Sequence, residues 1–338
     1  MVRRFWLLVW IAASLITTVD ARPTIAQTHI TVGYAAISPR TTPLIIAQEQ
    51  GLFAKHGIEA RLVLVKGAPT LVASLISGDI EVGYTGGPAV VGAAAQGIYL
   101  KILSSVSSQL THTLMASPTI KNAEQLRGKR FGIQSIGGST WMHTMLALEH
   151  VGLDVKRDNI SLLVIGDSVL IGQSLEAGRI DAAVLDGTLV RRLRSKGFSV
   201  ISELQPAHIP MLNQAIVVTQ DYLQKHSDTA EKIIMTLVES LAFSLAPVNK
   251  PIVIKTMMRR FQISDPAIAE EGYQDYLTSV ERRPMPSLDA LRNIKRLMAL
   301  YNPKVAGVKV DELVDSRFVR KLDENGFIEK AGAAYGLK

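Results

Sequence analysis

Three short loops and one dipeptide carry the residue types that could grip a small molecule, and each follows an apolar run. They are Tyr34 to Arg40, Tyr84 to Pro88, Gln134 to Trp141, and Asp186-Gly187. Two of them place glycines and hydroxyls where a helix begins: Thr85-Gly86-Gly87, and Gly138-Ser139-Thr140. A helix N-terminus after a glycine turn leaves first-turn N–H groups free, and the helix dipole adds partial positive charge there, so it suits an anion. Glycines that merely let the chain turn are the alternative. Thr85, Ser139 and Thr140 could add hydroxyl donors. Arg40 is the cation in these loops; it either pairs with a ligand carboxylate or sulfonate or is simply solvated. Trp141, Tyr34 and Tyr84 could form apolar walls, although Tyr34 suits core packing better. Asp186 could meet a ligand amine or hydroxyl, but capping the helix that follows is the stronger reading.

The elements behind these loops follow from hydrophobic spacing. From Gly128 to His150, Arg130 to Gln134 is an expected strand, and a glycine-serine turn leads into a helix carrying Met142, Met145, Leu146 and Leu148. Ser139 or Thr140 is its expected N-cap. Upstream, His29 to Tyr34, Ile58 to Val65, Ile80 to Tyr84 and Leu100 to Val106 alternate with helices at Thr42 to Gln48, Ala68 to Ser77 and Ala89 to Gln96. Short connections and strands apolar on both faces predict an α/β unit with a mostly parallel sheet. Ser161 to Ile165, Ser168 to Ala177, Ala182 to Leu185, Thr188 to Lys196 and Ser199 to Ile201 make a second unit of the same style. Ala215 to Thr219 is an isolated apolar strand. Helices then follow at Asp228 to Leu245, Asn249 to Arg260, Asp265 to Leu277, Ser287 to Tyr301 and Asp311 to Lys321. This tail could pack on either unit.

With 338 residues and 47% hydrophobic content, the chain can fill two ordinary domains. A net charge of +7 is modest and scattered, and only 6% of residues are aromatic, which argues against a nucleic-acid partner. Arg3 and Arg4 precede an apolar run from Phe5 to Val19, too short for a comfortable membrane span. With small residues at Thr24-Ile25-Ala26, this predicts a signal peptide over 1–26 and a periplasmic mature chain from about Gln27. The sequence has no cysteine, which removes disulfides, thiolate metal sites, a cysteine nucleophile and a thioether lipid anchor. The seven histidines show no metal-ligand spacing. No nucleophile has an adjacent base, and neither a P-loop nor a GxSxG is present. His112 is read as structural. No cofactor is expected.

Pro43 to Tyr84, with QGLFAKHGIEA and SGDIEVGY, resembles the first lobe of substrate-binding proteins of the nitrate/sulfonate/taurine ABC-import group, the SsuA/THI5-like or NMT1 family. LRGKRFGIQSIGGSTW and LEAGRIDAAVLD resemble its second lobe. The resemblance implies a type II periplasmic-binding-protein fold: α/β, two lobes joined by two crossing strands, with C-terminal helices. Lobe 1 would take 27–113 plus 215–338, and lobe 2 would take 114–214. Ser38 to Arg40, Thr85 to Gly87, Gly138 to Trp141 and Asp186 would line the interlobe cleft. The expected ligand is a small anionic organic molecule, of sulfonate, taurine, nitrate or aromatic carboxylate type. The expected partners are an ABC permease and its ATPase, with the protein itself a monomer. One branch of the family makes a thiamine pyrimidine precursor through a cysteine-rich motif, which this chain lacks. An enzyme on the same fold, using His112 or Asp186 for proton transfer, and a ligand-sensing subunit are the rivals.

Overall fold

Apolar runs bounded by glycine turns become buried strands, and the amphipathic segments between them cover both faces of two sheets. The computed structural model describes residues 27–337; the export segment expected over 1–26 lies outside the described residues. The chain begins with β1 (Thr28–Tyr34), α1 (Thr42–Glu49), α2 (Leu52–Lys55), β2 (Ile58–Leu64), α3 (Ala68–Ser77), β3 (Val82–Thr85), α4 (Gly87–Ala94) and β4 (Leu100–Gln109). It continues with β5 (Thr113–Ala116), β6 (Arg130–Ile133), α5 (Ser139–His150), β7 (Ser161–Val164), α6 (Ser168–Glu176), β8 (Ala182–Leu185), α7 (Gly187–Ser195) and β9 (Ser199–Glu203). It returns through β10 (Pro210–Thr219) to α8 (Gln220–Lys225), α9 (Ser227–Leu245), α10 (Lys250–Arg260), α11 (Pro266–Ser279), α12 (Leu288–Ala299), α13 (Arg317–Glu324) and α14 (Phe327–Ala334).

The strands form two five-stranded sheets, ordered β2-β1-β3-β10-β4 and β7-β6-β8-β5-β9. In each sheet three strands run parallel, and a strand next to the edge runs antiparallel to both its neighbours. In the first sheet that strand is β10, and in the second it is β5. These are the strands that enter after the chain crosses from one sheet to the other. This is the two-lobed α/β architecture of type II periplasmic binding proteins.

β10 starts earlier than the apolar run suggested. Pro210 already faces Gln109 and Gln214 faces Ser107 across the β4 ladder. Asn213 and Gln214 interrupt the hydrophobic run, yet both are buried. The paired backbone carries the strand through them.

The helical tail packs mainly on the first sheet. Ile233, Ile234, Leu237, Val238 and Leu241 of α9 are buried in one cluster with Val32, Leu44 and Ile58. The Ser240 hydroxyl donates to the Pro43 carbonyl of α1. Helix α12 covers β10 and α4, while α11 reaches across to α7 of the second lobe. Further contacts tie the lobes together. Arg296 of α12 grips Glu149 of α5 through both guanidinium nitrogens at 2.8 and 2.6 Å. Trp141 meets Tyr301 edge-on, with ring centroids 6.2 Å apart.

Candidate functional site

The parallel strands β1, β3, β6 and β8 all end at one crevice between the sheets, as the rule for open α/β sheets requires. The loops after them bring Ser38, Arg40, Thr85, Gly86, Gly138, Ser139, Thr140 and Asp186 to one chamber. His112, His143, Gln134, Asn213 and Gln214 complete much of its wall. The chamber is narrow, with a cavity volume of about 50 Å³.

The first loop is fixed so that Arg40 turns inward. The Thr41 hydroxyl donates to the Ala36 carbonyl at 3.0 Å, and the Tyr84 hydroxyl donates to the Arg40 carbonyl at 2.7 Å. Arg40 is only 2% exposed, so the solvated alternative does not hold. Its Nη2 donates to the Thr111 hydroxyl. Its Nη1 lies 3.4 Å from Asp275 Oδ2, close enough for charge attraction but not aligned as a hydrogen bond. Nε and Nη1 have no acceptor among the described residues. A buried guanidinium with its Nε unsatisfied is costly to keep, and an incoming acid would relieve that cost.

Asp275 comes from α11, in the helical tail. Burial raises its carboxyl to about 6; Arg40 opposes that rise, and the charge of nearby Asp186 adds to it. The Gly187 N–H at the start of α7 also donates to Asp275. One side chain thereby touches both the buried cation and the rim of the second lobe.

The second-lobe wall is the Gly138 turn. Gly138 itself is the N-cap of α5, so Ser139 and Thr140 occupy the first two helical positions. The Thr140 hydroxyl accepts the Gln134 N–H at 2.8 Å. It therefore braces the turn from within. Across the crevice, a Cβ added at Gly86 would lie 2.1 Å from Ser139 Oγ and 2.8 Å from the Asn213 carbonyl oxygen. Gly86 is backbone extended, so the glycine is needed for close approach rather than for a turn. The Gln134 side-chain amide donates to the Ala35 carbonyl at 3.0 Å, adding a hydrogen bond between the same walls.

Two expected residues do not reach the chamber. Trp141 sits on the inward face of α5, where it joins the core and packs on Tyr301. Gly87 backs onto α12: a Cβ there would lie 2.9 Å from Ile294 Cδ1 and 3.1 Å from Leu291 Cδ2. Tyr84 is buried and serves as an anchor for the first loop rather than a wall. Asp186 stands at the N-cap position of α7, buried and facing the chamber.

A histidine pair that spacing alone did not suggest lies against Arg40. The rings of His112 and His143 are tilted at 40° with centroids 4.0 Å apart. Asn213 donates its amide to the Gln109 carbonyl at 2.7 Å, so its Oδ1 is the atom that meets His143 Nε2 at 2.5 Å. His143 Nε2 must then carry the proton, which leaves Nδ1 as a bare acceptor. Burial pushes His143 down to about 3; the Asn213 hydrogen bond works against that and the Arg40 charge adds to it. Burial first, then His143 and Arg40, hold His112 well below the usual histidine range. His143 Nδ1, Gln214 Oε1 and the Thr85 hydroxyl are buried without partners among the described residues. The chamber thus offers donors on one side and acceptors on another. Among the described residues no three histidine, aspartate or glutamate side chains gather as a metal site.

The NMT1/THI5-like family model matches residues 38–248, more than half of the chain. A binding protein of Brucella abortus is 30% identical over 154 residues, 46% of either chain. The chain thus spans about half the length of the curated relatives it matches first. The taurine-binding periplasmic protein of Escherichia coli is 24% identical over 217 residues, 63% of this chain and 65% of that one. The alkanesulfonate-binding protein SsuA of Xanthomonas axonopodis pv. citri, solved with MOPS, shares the fold. Its TM-score is 0.69 at 18% identity, over 86% of this chain and 98% of that one. The chain belongs to the NMT1/THI5-like family.

Proposed function

We propose that this protein is the solute-binding component of an ABC importer and holds a small organic acid between its lobes. The observation that carries the reading is the buried Arg40, which lines a chamber that both lobes wall and whose Nε has no acceptor among the described residues. The acid group of the solute meets Arg40 and the first turn of α5. A donor on the same molecule, an amine or a hydroxyl, meets His143 Nδ1 and Gln214 Oε1. Relatives named for taurine and alkanesulfonates support a sulfonate as the acid, and a carboxylate has the same bidentate geometry. No bond is made or broken: the solute selects the closed arrangement through its greater affinity for it. The setting we propose is the periplasm after export, with delivery to a membrane permease and its ATPase by a monomeric receptor. A thermal-shift screen of the mature chain with taurine, isethionate, nitrate, lactate and benzoate tests the reading. A bound solute raises the melting temperature with concentration, and nuclear magnetic resonance should recover it chemically unchanged. If no acid in the set moves the melting temperature, the reading fails.

A further inference from the structure

A buried site holds an acid only if its charges balance, and around Arg40 they do not balance without a further change. Among the described residues that line the chamber, Arg40 is the one lysine or arginine. Two carboxylates already stand near it. Asp275 Oδ2 lies 3.4 Å from Arg40 Nη1, and both side chains are less than one-tenth exposed. Asp186 lines the chamber from the start of α7, and its charge acts on Asp275. A bound acid is therefore a third negative charge beside one guanidinium. Crowded carboxylates in a buried site do not all stay ionised, because each raises the cost of the next charge.

Asp275 is the group placed to give way. Its Oδ2 has no hydrogen-bond partner among the described residues, so that oxygen can take a proton without losing a bond. An acid that occupies Arg40 removes the cation from Asp275, while Asp186 stays. The charged groups on the elements around it cancel in pairs and supply no replacement. From α7, Arg191 pairs with Glu271 of α11, and Arg194 pairs with Glu203 of β9 at 3.5 Å. From α10, Lys250 pairs with Glu270 at 2.6 Å. His112 and His143 are kept neutral by burial. Burial already lifts Asp275 to about 6. A path for the proton exists as well. Asp275 and His112 line a second cavity, of about 300 Å³, whose wall also includes Arg194 and Glu203. Those two side chains are each more than half exposed, so the cavity reaches solvent without passing through the chamber.

We infer that binding of the acid is coupled to uptake of one proton from solvent by Asp275, which makes this receptor hold its solute more tightly in acid than in alkali. The inference rests on the receptor reading above and adds the regulation of its site. The added proton offsets the added anion, so the net charge of the site is the same before and after binding. The free protein has Asp275 ionised above about pH 6, whereas the complex keeps it protonated. The complex thus holds one more proton, and affinity falls as pH rises above that value.

Calorimetric titration of the mature protein with isethionate and with lactate tests this. Both stay ionised from pH 5.5 to 8.5, so a change in affinity reports the protein. Titrations at pH 7.5 in bis-Tris and in Tris, whose heats of ionisation differ, count the protons taken up. The expected count is about one per solute, with affinity falling about tenfold per pH unit above about 7 and level below 6. Asp275→Asn should bind at every pH with no proton uptake, and His143→Gln should keep the uptake. If Asp275→Asn does not fold, a His112→Asn/His143→Gln double variant assigns the proton: uptake that persists there supports Asp275, and uptake that vanishes overturns it. Binding by the wild type without proton uptake, or uptake that survives in Asp275→Asn, also overturns the inference and leaves the receptor reading standing. If neither acid binds at any pH, both fall.

Discussion

Arg40 and the two histidines beside it set how the chamber responds to pH. The unfolded chain titrates its histidines near 6.5, whereas the folded chain holds His143 at about 3 and His112 well below its usual range. As pH falls below about 6.5 the unfolded state takes up protons that the folded state refuses. Stability is therefore complete above that pH and is lost on acidification. Asp275 acts with the opposite sign between about 6 and 4, because the folded state protonates it first. His143→Gln keeps a donor for Asn213 but removes one titrating group. Between pH 6 and 5 the variant should lose about 1 kcal/mol less stability than the wild type, as measured by urea unfolding. Parallel losses in the two proteins would show that His143 is not held neutral. Asp275 and His143 were not legible in the sequence as site residues. Asp275 arrives from a helix more than two hundred residues after Arg40, and no local spacing links them. Asn213-Gln214 did leave a signal: a polar pair in an otherwise apolar strand is explained only by a buried duty.

The strand-turn-helix units carried most of the recognisable message. Loops at the carboxyl ends of parallel strands converge by geometry, so Ser38, Arg40, Thr85, Gly138, Ser139 and Asp186 could be placed from periodicity and family resemblance together. Side-chain direction within the first helical turn could not. Trp141 and Ser139 are two residues apart, yet one enters the core and the other the cleft. At the same scale, Gly86 sets how closely β3 and α5 can meet. Gly86→Ala should weaken acid binding at least tenfold while each lobe keeps its fold, because the added methyl meets Ser139 Oγ and the Asn213 carbonyl. Ser139→Ala in that background removes the closer obstacle and should recover part of the affinity. Full affinity in Gly86→Ala alone would mean the lobes do not need this approach. Asp167 caps α6 by accepting the Leu170 N–H at 3.1 Å. Asp167→Ala should cost about 1 kcal/mol in chemical denaturation, and an unchanged midpoint would contradict the capping role.

Across the whole molecule, the two sheets repeat one pattern, and each crossing delivers the antiparallel strand of the sheet it enters. The continuous core running from Leu71 and Val90 through Leu114 to Phe131 and Trp141 keeps the lobes in register. The chain from Gln27 onward holds one tryptophan, Trp141. It is buried beside Tyr301 of the other lobe, and Tyr301 also donates its hydroxyl to Asp154 at 2.7 Å. Separation of the lobes would expose this ring. Saturating acid should therefore shift Trp141 emission to shorter wavelength, and Tyr301→Leu should diminish the change. Emission unmoved by a solute that demonstrably binds would mean that binding proceeds without closure.

The central claim is that a buried arginine between two lobes captures the acid group of a solute. A thermal-shift titration of wild type and Arg40→Gln, side by side, against sulfonates and carboxylates tests it most directly. The account predicts a melting temperature that climbs with acid concentration in the wild type and stays flat in the variant. An equal climb in both proteins, or a climb produced only by neutral or cationic solutes, would contradict it.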